Sequence, residues 1–452
     1  MPFLYAKRNI VGSTVANEVK SFIIKTSMFK NYIQKKLERY VVDYFKAHPE
    51  VKLIVVAGSV GKTSTKRAIA TLLSQRYRVA LHEGNHNTHL SAPLAILGIE
   101  FPEDVKSVGA WLSVFRAAKQ RIKDPSGTDV IIAEIGADHP GDIAHFGTYL
   151  RPYIGVVTGV TPEHMEFFQT IENVAKEELA AANFSQIAVI NRDDIDGEYA
   201  SLLTNASVDT YGTTGVAEYH FEQQDFTLEN GYIGSVMTPE FEPIPATIKL
   251  IGEHSLRPAM GAVAVAAKMG LMPEEISRGL ALLRPVPGRM NILRGVENTI
   301  LIDDTYNSSP LAASSALQTL YSLQVPQRIA ILGSMNELGV SSAIEHEKLG
   351  MMCDPSMLSW VITIGDEAEK FLAPAAKARG CQVKSFKSAI DAGAFAHSVL
   401  EEGAAILAKG SQGNVYAEEA IKVLCMMSED ESLVRQSAEW VRIKEEFFSK
   451  FA

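Results

Sequence analysis

Three cysteines in 452 residues are too few for a disulfide framework, and Cys353, Cys381 and Cys425 show neither CxxC nor metal-ligand spacing. The scarcity points to a reducing compartment and a cytoplasmic protein. Long apolar runs are also missing. The longest nearly apolar stretch, 90–99, is broken by Ser91, Pro93 and Gly98, well short of the roughly 18 residues a membrane helix needs. The chain opens without the pattern of a signal peptide. Basic excess is absent too: 43 Lys and Arg against 53 Asp and Glu give a net charge of −10, which excludes a general nucleic-acid binder. With 46% hydrophobic and 21% charged residues, the composition is that of a globular enzyme, and the length predicts about three domains.

The charge is uneven. Within residues 1–50, nine Lys or Arg stand against four Asp or Glu. Phe22, Ile23, Ile24, Met28, Phe29, Tyr32, Ile33, Leu37, Tyr40, Val41 and Tyr44 recur at helical spacing, so this arm reads as one or two amphipathic helices. Their apolar stripe either docks on the next domain or makes a weak membrane-surface or partner contact.

From Val51 short apolar runs alternate with helical stretches, the mark of an α/β protein with a mainly parallel sheet. Strands are predicted at 53–57, 130–133, 154–158 and 187–191, and helices at 63–75 and 171–182. Residues 205–250 read as a β-rich insert with a hairpin at Asn230-Gly231, a pair that tolerates positive φ. Helical spacing returns at 259–269 and 274–283. The turn-rich run Arg284-Pro285-Val286-Pro287-Gly288-Arg289 suits a domain junction. Beyond it, strands at 299–303, 328–332, 360–364 and 404–408 predict a second, Rossmann-like α/β domain. A closing helix follows Ser428. The division is a helical arm (1–50), a central nucleotide-binding domain (51–287) and a C-terminal domain (288–452).

Gly58-Ser59-Val60-Gly61-Lys62-Thr63-Ser64 lies between a strand and a helix, where a phosphate-binding loop belongs. Glycines let backbone N–H groups turn toward an anion, and the helix N-terminus adds positive potential. Lys62 can reach the β- and γ-phosphates of ATP, and the Thr63 hydroxyl can bind Mg²⁺. The general pattern wants a glycine five residues before Gly61, where Val56 stands; Gly58 supplies the turn instead. Glu134 ends a strand, at the carboxyl edge where such sheets bind ligands, and offers Mg²⁺ a hard oxygen.

This loop resembles that of the Mur ligases, ATP-dependent amide-forming enzymes of peptidoglycan synthesis. Gly84-Asn85-His86-Asn87 with Pro93, Glu134-Ile135-Gly136-Ala137-Asp138-His139, His164-Met165-Glu166, Pro287-Gly288-Arg289, Asp303-Asp304-Thr305-Tyr306-Asn307 and Lys409-Gly410-Ser411 look like the family's later motifs, in order, and most like its MurF-type branch. The resemblance spans about 53–424. It implies a ligase that joins D-Ala-D-Ala, or a similar amine, to a UDP-linked muramyl peptide through an acyl phosphate, using ATP and Mg²⁺. It implies that Glu134 and His164 hold metal beside Thr63, that Arg289, Asp304, Tyr306 and Asn307 meet the nucleotide with Asn191 near the adenine, and that Asn85, Asn87, Lys409 and Ser411 serve the substrates.

Departures accompany the match. Glu178 stands 14 residues after His164, where many relatives carry a lysine modified to a metal-supporting carbamate. The expectation is that its carboxylate takes over that role. Gln412 stands where an arginine commonly follows the serine, and Ser255, Pro258 and Ser334 replace other usual residues. Only 57 residues precede Gly58, too few for the uridine-binding module of the family, so that module is expected to be missing.

Overall fold

The computed structural model describes residues 29–81, 88–102, 104–125, 127–162, 164–426 and 433–451. Asn85 and Asn87, and the part of the arm before Phe29, lie outside these residues.

The first sheet has six strands: β1 (Lys52–Ala57), β2 (Val79–Leu81), β3 (Val130–Glu134), β4 (Ile154–Val157), β5 (Ile187–Asn191) and β6 (Val208–Tyr211). They lie in the order β2-β3-β1-β4-β5-β6, all parallel. The runs are continuously apolar because both faces are covered. Leu53, Val55 and Ala57 point into one core, while Ile54 and Val56 point into the other. The order turns back at β1, so the carboxyl ends of β1, β3 and β4 frame a crevice of the kind that takes ligands.

Residues 29–47 form one helix. Ile33, Leu37, Tyr40, Val41 and Tyr44 are buried in the first core beside Leu53 and Trp111, and the Tyr40 ring meets Phe115 edge-on at 6.0 Å. From Ile33 to Tyr44 the stripe is thus used in docking, while Tyr32 stands exposed. No helix among the described residues is long and apolar enough to cross a membrane.

A three-stranded antiparallel sheet follows: β7 (His220–Thr227), β8 (Gly231–Met237) and β9 (Ile244–Ile248). Gly231, at φ 70°, makes the hairpin turn, and a Cβ there would stand 2.2 Å from the Ile248 carbonyl oxygen. The insert is shorter than the sequence suggests. Residues 208–211 are the edge strand of the first sheet, paired with β5, and Tyr211 is buried against the Leu256–Lys268 helix at Gly261.

The second sheet contains β10 (Asn291–Arg294), β11 (Ile300–Asp304), β12 (Arg328–Gly333), β13 (Trp360–Ile364), β14 (Val383–Phe386) and β15 (Ala405–Lys409), in the order β10-β11-β15-β12-β13-β14. All neighbours are parallel except β10 and β11. It too is covered on both faces: Ala330 and Leu332 enter one core, Ile329 and Ile331 the other.

Docking of the 29–47 helix predicts that Leu37→Ala costs about 2–5 kcal/mol in a urea melt. Tyr32→Ala on the exposed side should change stability by less than about 0.5 kcal/mol.

Candidate active site

Both sheets deliver their strand ends to one cleft of about 670 Å³. Its walls include Ser59 to Ser64, Glu134, His164 and Asn191 from the first unit and Arg289, Asp304, Tyr306, Asn307, Lys409 and Ser411 from the second.

The phosphate loop is held by its neighbours as well as by its glycines. Gly58 adopts φ 125°, and a Cβ there would lie 2.3 Å from Thr158 Oγ1. That close approach excludes any side chain. Thr158 Oγ1 lies 3.0 Å from the carbonyl oxygen of Ala57 and 2.5 Å from that of Val60, while Ser59 N–H donates to Gly159 O at 2.9 Å. Gly61, at φ 84°, caps the Lys62–Leu73 helix, so its first N–H groups face the cleft. Lys62 Nζ donates to Gly58 O, which places the ammonium at the loop.

Thr63 Oγ1 donates to Glu134 Oε2 at 3.1 Å, and the buried Lys66 Nζ stands 3.3 Å from the same oxygen. A hydroxyl and a carboxylate side by side at a helix N-terminus are a donor set that fits Mg²⁺ beside a polyphosphate. Lys66 was not singled out from the sequence. Its position, three residues after Thr63 and so on the same helical face, was the available signal.

His164, at φ 48°, bridges the two units: Nε2 is 3.7 Å from Asp138 Oδ1 and Nδ1 is 3.5 Å from Glu337 Oε2. Among the described residues no group of three or more His, Cys, Asp or Glu side chains stands close enough to hold a metal.

Glu178 meets the phosphate loop. It is buried, and Oε2 accepts the Gly58 N–H at 2.6 Å. The Ile171–Asn183 helix carries this carboxylate to the first amide of the loop. Its neighbour Glu177 likewise takes up backbone amides, those of Gly141 at 2.7 Å and Ile143 at 2.5 Å.

Asn191 is buried and ties β5 to β4 through Thr158 O at 2.8 Å and to Asp194 at 2.8 Å. Arg257 neutralises Asp193 and Asp194 at 3.3 and 3.2 Å. Burial nevertheless raises the Asp194 carboxyl above its usual range.

Across the cleft, Asp304 accepts from Met290 N–H at 3.2 Å and Lys409 Nζ at 2.6 Å; Lys409 also donates to Asn307 O at 3.0 Å. Ser411 Oγ accepts from Asn336 N–H at 2.8 Å and lies 3.4 Å from Ser308 O. Lys409 and Ser411, anticipated as substrate contacts, are both buried and committed to internal bonds. They shape the loop after β11 because β15 lies directly beside β11, with Lys409 in register with Asp304. Asp303, wholly buried, is pushed up to about 6 by burial. Arg289 stacks on Tyr306 with its guanidinium carbon 4.3 Å from the ring centroid, and its Nε is buried without a hydrogen bond. His254, also missed, lines the cleft; burial lowers its imidazole to about 4, so it is neutral near pH 7.

Fold and site define a two-lobed α/β phosphate-loop protein. Sequence comparison carries this further. The Mur ligase middle-domain family model matches residues 56–266, and the model described as Mur ligase, glutamate ligase domain, matches 288–412. The chain thus carries Mur ligase middle and C-terminal domains. Among curated relatives, the UDP-N-acetylmuramoyl-tripeptide--D-alanyl-D-alanine ligases of Bacillus subtilis and Escherichia coli are each 27% identical. The matches cover 70% of this chain in both cases, and 63% and 65% of the relatives. The chain thus spans just under two thirds of the length of these relatives. Among solved structures, MurF from Acinetobacter baumannii superposes with a TM-score of 0.70 at 21% identity, over 85% of this chain and 79% of that one. MurF from Thermotoga maritima, solved with ADP, gives 0.68 at 22%, over 86% and 83%. At these identities the structures establish the shared fold.

A brace at Gly58 predicts that Glu178→Ala loses about 1–3 kcal/mol of stability by leaving the buried amide unpaired. Glu178→Gln keeps a carbonyl acceptor and should lose less than half as much. Equal losses in thermal melts would contradict the brace.

Proposed function

We propose that this protein is an ATP-dependent amide ligase that joins D-alanyl-D-alanine to a UDP-linked muramyl tripeptide through an acyl phosphate, as its curated relatives are named for doing. The observation that carries the reading is the single cleft, in which the Lys62–Thr63–Glu134 end of one sheet faces Arg289, Asp304 and Tyr306 of the other. The division into a helical arm (1–50), a central domain (51–287) and a C-terminal domain (288–452) belongs to the same proposal, as does a cytoplasmic location, with which the three free cysteines agree.

The reaction crowds anions: a triphosphate must meet a carboxylate. This chain answers with fixed positive groups and aligned amides, which is what phosphoryl transfer asks of a protein. Lys62 and the N–H groups of residues 60–63 receive the β- and γ-phosphates. Mg²⁺ held by Thr63 and Glu134, with His164 serving metal nearer the second unit, would supply positive charge to the phosphate oxygens. Lys66, 3.3 Å from the Glu134 carboxylate, holds it in place. Arg289, whose guanidinium lies open to the cleft on the Tyr306 ring, neutralises the γ-phosphate from the second unit. Asp304, Tyr306 and Asn307 hold the nucleotide, with Asn191 at the adenine end. A substrate carboxylate oxygen then takes the γ-phosphoryl group and ADP departs. The amine attacks the acyl carbon, the tetrahedral adduct expels phosphate, and the amine proton leaves to solvent or base. Glu178 contributes by holding the loop.

A second reading keeps the chemistry and changes the carboxylate and amine. It is favoured by Gln412 in place of the usual arginine and by the commitment of Lys409 and Ser411 to internal bonds, which leave the acceptor end without the expected cations.

The test offers the protein ATP, Mg²⁺, UDP-muramyl tripeptide and D-Ala-D-Ala, with phosphate release and product mass as readouts. Release that needs both substrates, with the mass of the joined product, is expected, and Lys62→Ala should lower it by at least about 100-fold while the melting temperature stays unchanged. ATP turnover indifferent to both substrates would sink the reading. Turnover dependent on another carboxylate and amine would select the second one.

A further inference from the structure

Beyond residue 412, where the second family match ends, the chain returns to the cleft. Residues 433–451 carry the Ala438–Phe448 helix, and Trp440 reaches the cleft wall. Just before that helix lies Arg435, at φ 54°, with its side chain almost fully buried. Its guanidinium makes four bonds. Nε and Nη2 grip the two oxygens of Glu418, which is itself wholly buried, at 2.8 and 2.6 Å. Nη1 donates to Tyr306 O at 2.9 Å and Nη2 to Thr305 O at 2.6 Å.

Those two carbonyls belong to the loop after β11 that bears Asp304, Tyr306 and Asn307. The Tyr306 ring is the platform on which Arg289 stacks, and Tyr306 N–H is bonded to Gly288 O at 2.9 Å. Val434, next to Arg435, packs over the same glycine: a Cβ on Gly288 would stand 2.7 Å from Val434 Cγ1. One planar fork therefore anchors the loop's backbone to a buried carboxylate on the Glu418–Leu424 helix. Burying an ion pair is costly, and removing one partner is costlier still, but the pair dictates a single geometry. A lysine, with three donors on a point charge, cannot serve both carboxylate oxygens and two carbonyls in one plane.

We propose that Arg435 is a positioning residue for the nucleotide: the C-terminal segment sets the Thr305–Tyr306 backbone, and through it the Tyr306–Arg289 stack, so that nucleotide affinity depends on a residue with no place in the phosphate loop. The proposal rests on the ATP reading above.

The experiment titrates wild type and Arg435→Lys with a non-hydrolysable ATP analogue and Mg²⁺ by calorimetry, alongside thermal melts and steady-state rates. The dissociation constant and the KM for ATP should rise at least tenfold in the folded variant, while the KM for the carboxylate substrate stays within twofold. A merely structural role would lower the folded fraction and the apparent kcat but leave the affinity of the folded protein unchanged, and that result overturns the proposal. If Arg435→Lys does not fold, Glu418→Gln carries the test, because it keeps the arginine and weakens its anchor, while Lys444, 3.5 Å from the same carboxylate, keeps Glu419: a tenfold loss supports the proposal and an unchanged affinity overturns it. A wild type that binds no nucleotide overturns the ATP reading itself, and the proposal with it.

Discussion

The phosphate-loop end of the cleft depends on one close approach. Gly58 runs so near Thr158 and Gly159 that no side chain fits, and its N–H is taken by a carboxylate 120 residues further along the chain. The approach welds the carboxyl ends of β1 and β4 together at the point where the strand order turns back. With Gly58 fixed, the following amides, Lys62 and Thr63 are fixed as well, and Thr63 meets Glu134 at the end of β3. A polyanion is then met by groups already in place, so little reorganisation is left to the moment of reaction.

The second unit follows a similar logic with different chemistry. Its cleft-facing loop has no glycine-rich turn. It is held by buried ion pairs instead: Lys409 on Asp304 from the adjacent strand, and Arg435 on Glu418 from the end of the chain. Each pair also bonds a backbone carbonyl of the 305–307 stretch. The charged groups that remain directed at the cleft, Arg289 above all, are thus presented from a rigid frame. His164 joins the two units through Asp138 and Glu337, a contact that couples the segment after β3 to the loop after β12.

What the sequence disclosed was what chemistry writes locally. The two-faced strands announce themselves as continuous apolar runs, and the phosphate loop is a contiguous string whose glycines, lysine and threonine each have a reason to be there. Pairings across the chain were not legible. Nothing local tells that Glu178 pairs with the Gly58 amide, or that Lys409 pairs with Asp304, 105 residues away. The edge strand 208–211 was absorbed into the insert because four residues carry too little periodicity to declare a sheet. Lys66 was legible in principle, since helical spacing puts it on the face of Thr63, but a lysine inside a helix reads as solvated until a buried acid appears opposite it.

The central claim is that the two units meet to make an acyl phosphate. The most direct measurement supplies the muramyl tripeptide with ¹⁸O in its terminal carboxylate, together with ATP, Mg²⁺ and D-Ala-D-Ala, and reads the released phosphate by mass. If the carboxylate attacks the γ-phosphorus, one labelled oxygen leaves with the phosphate when the amine displaces it. Phosphate free of label, released at the same rate as the joined product, would contradict the account.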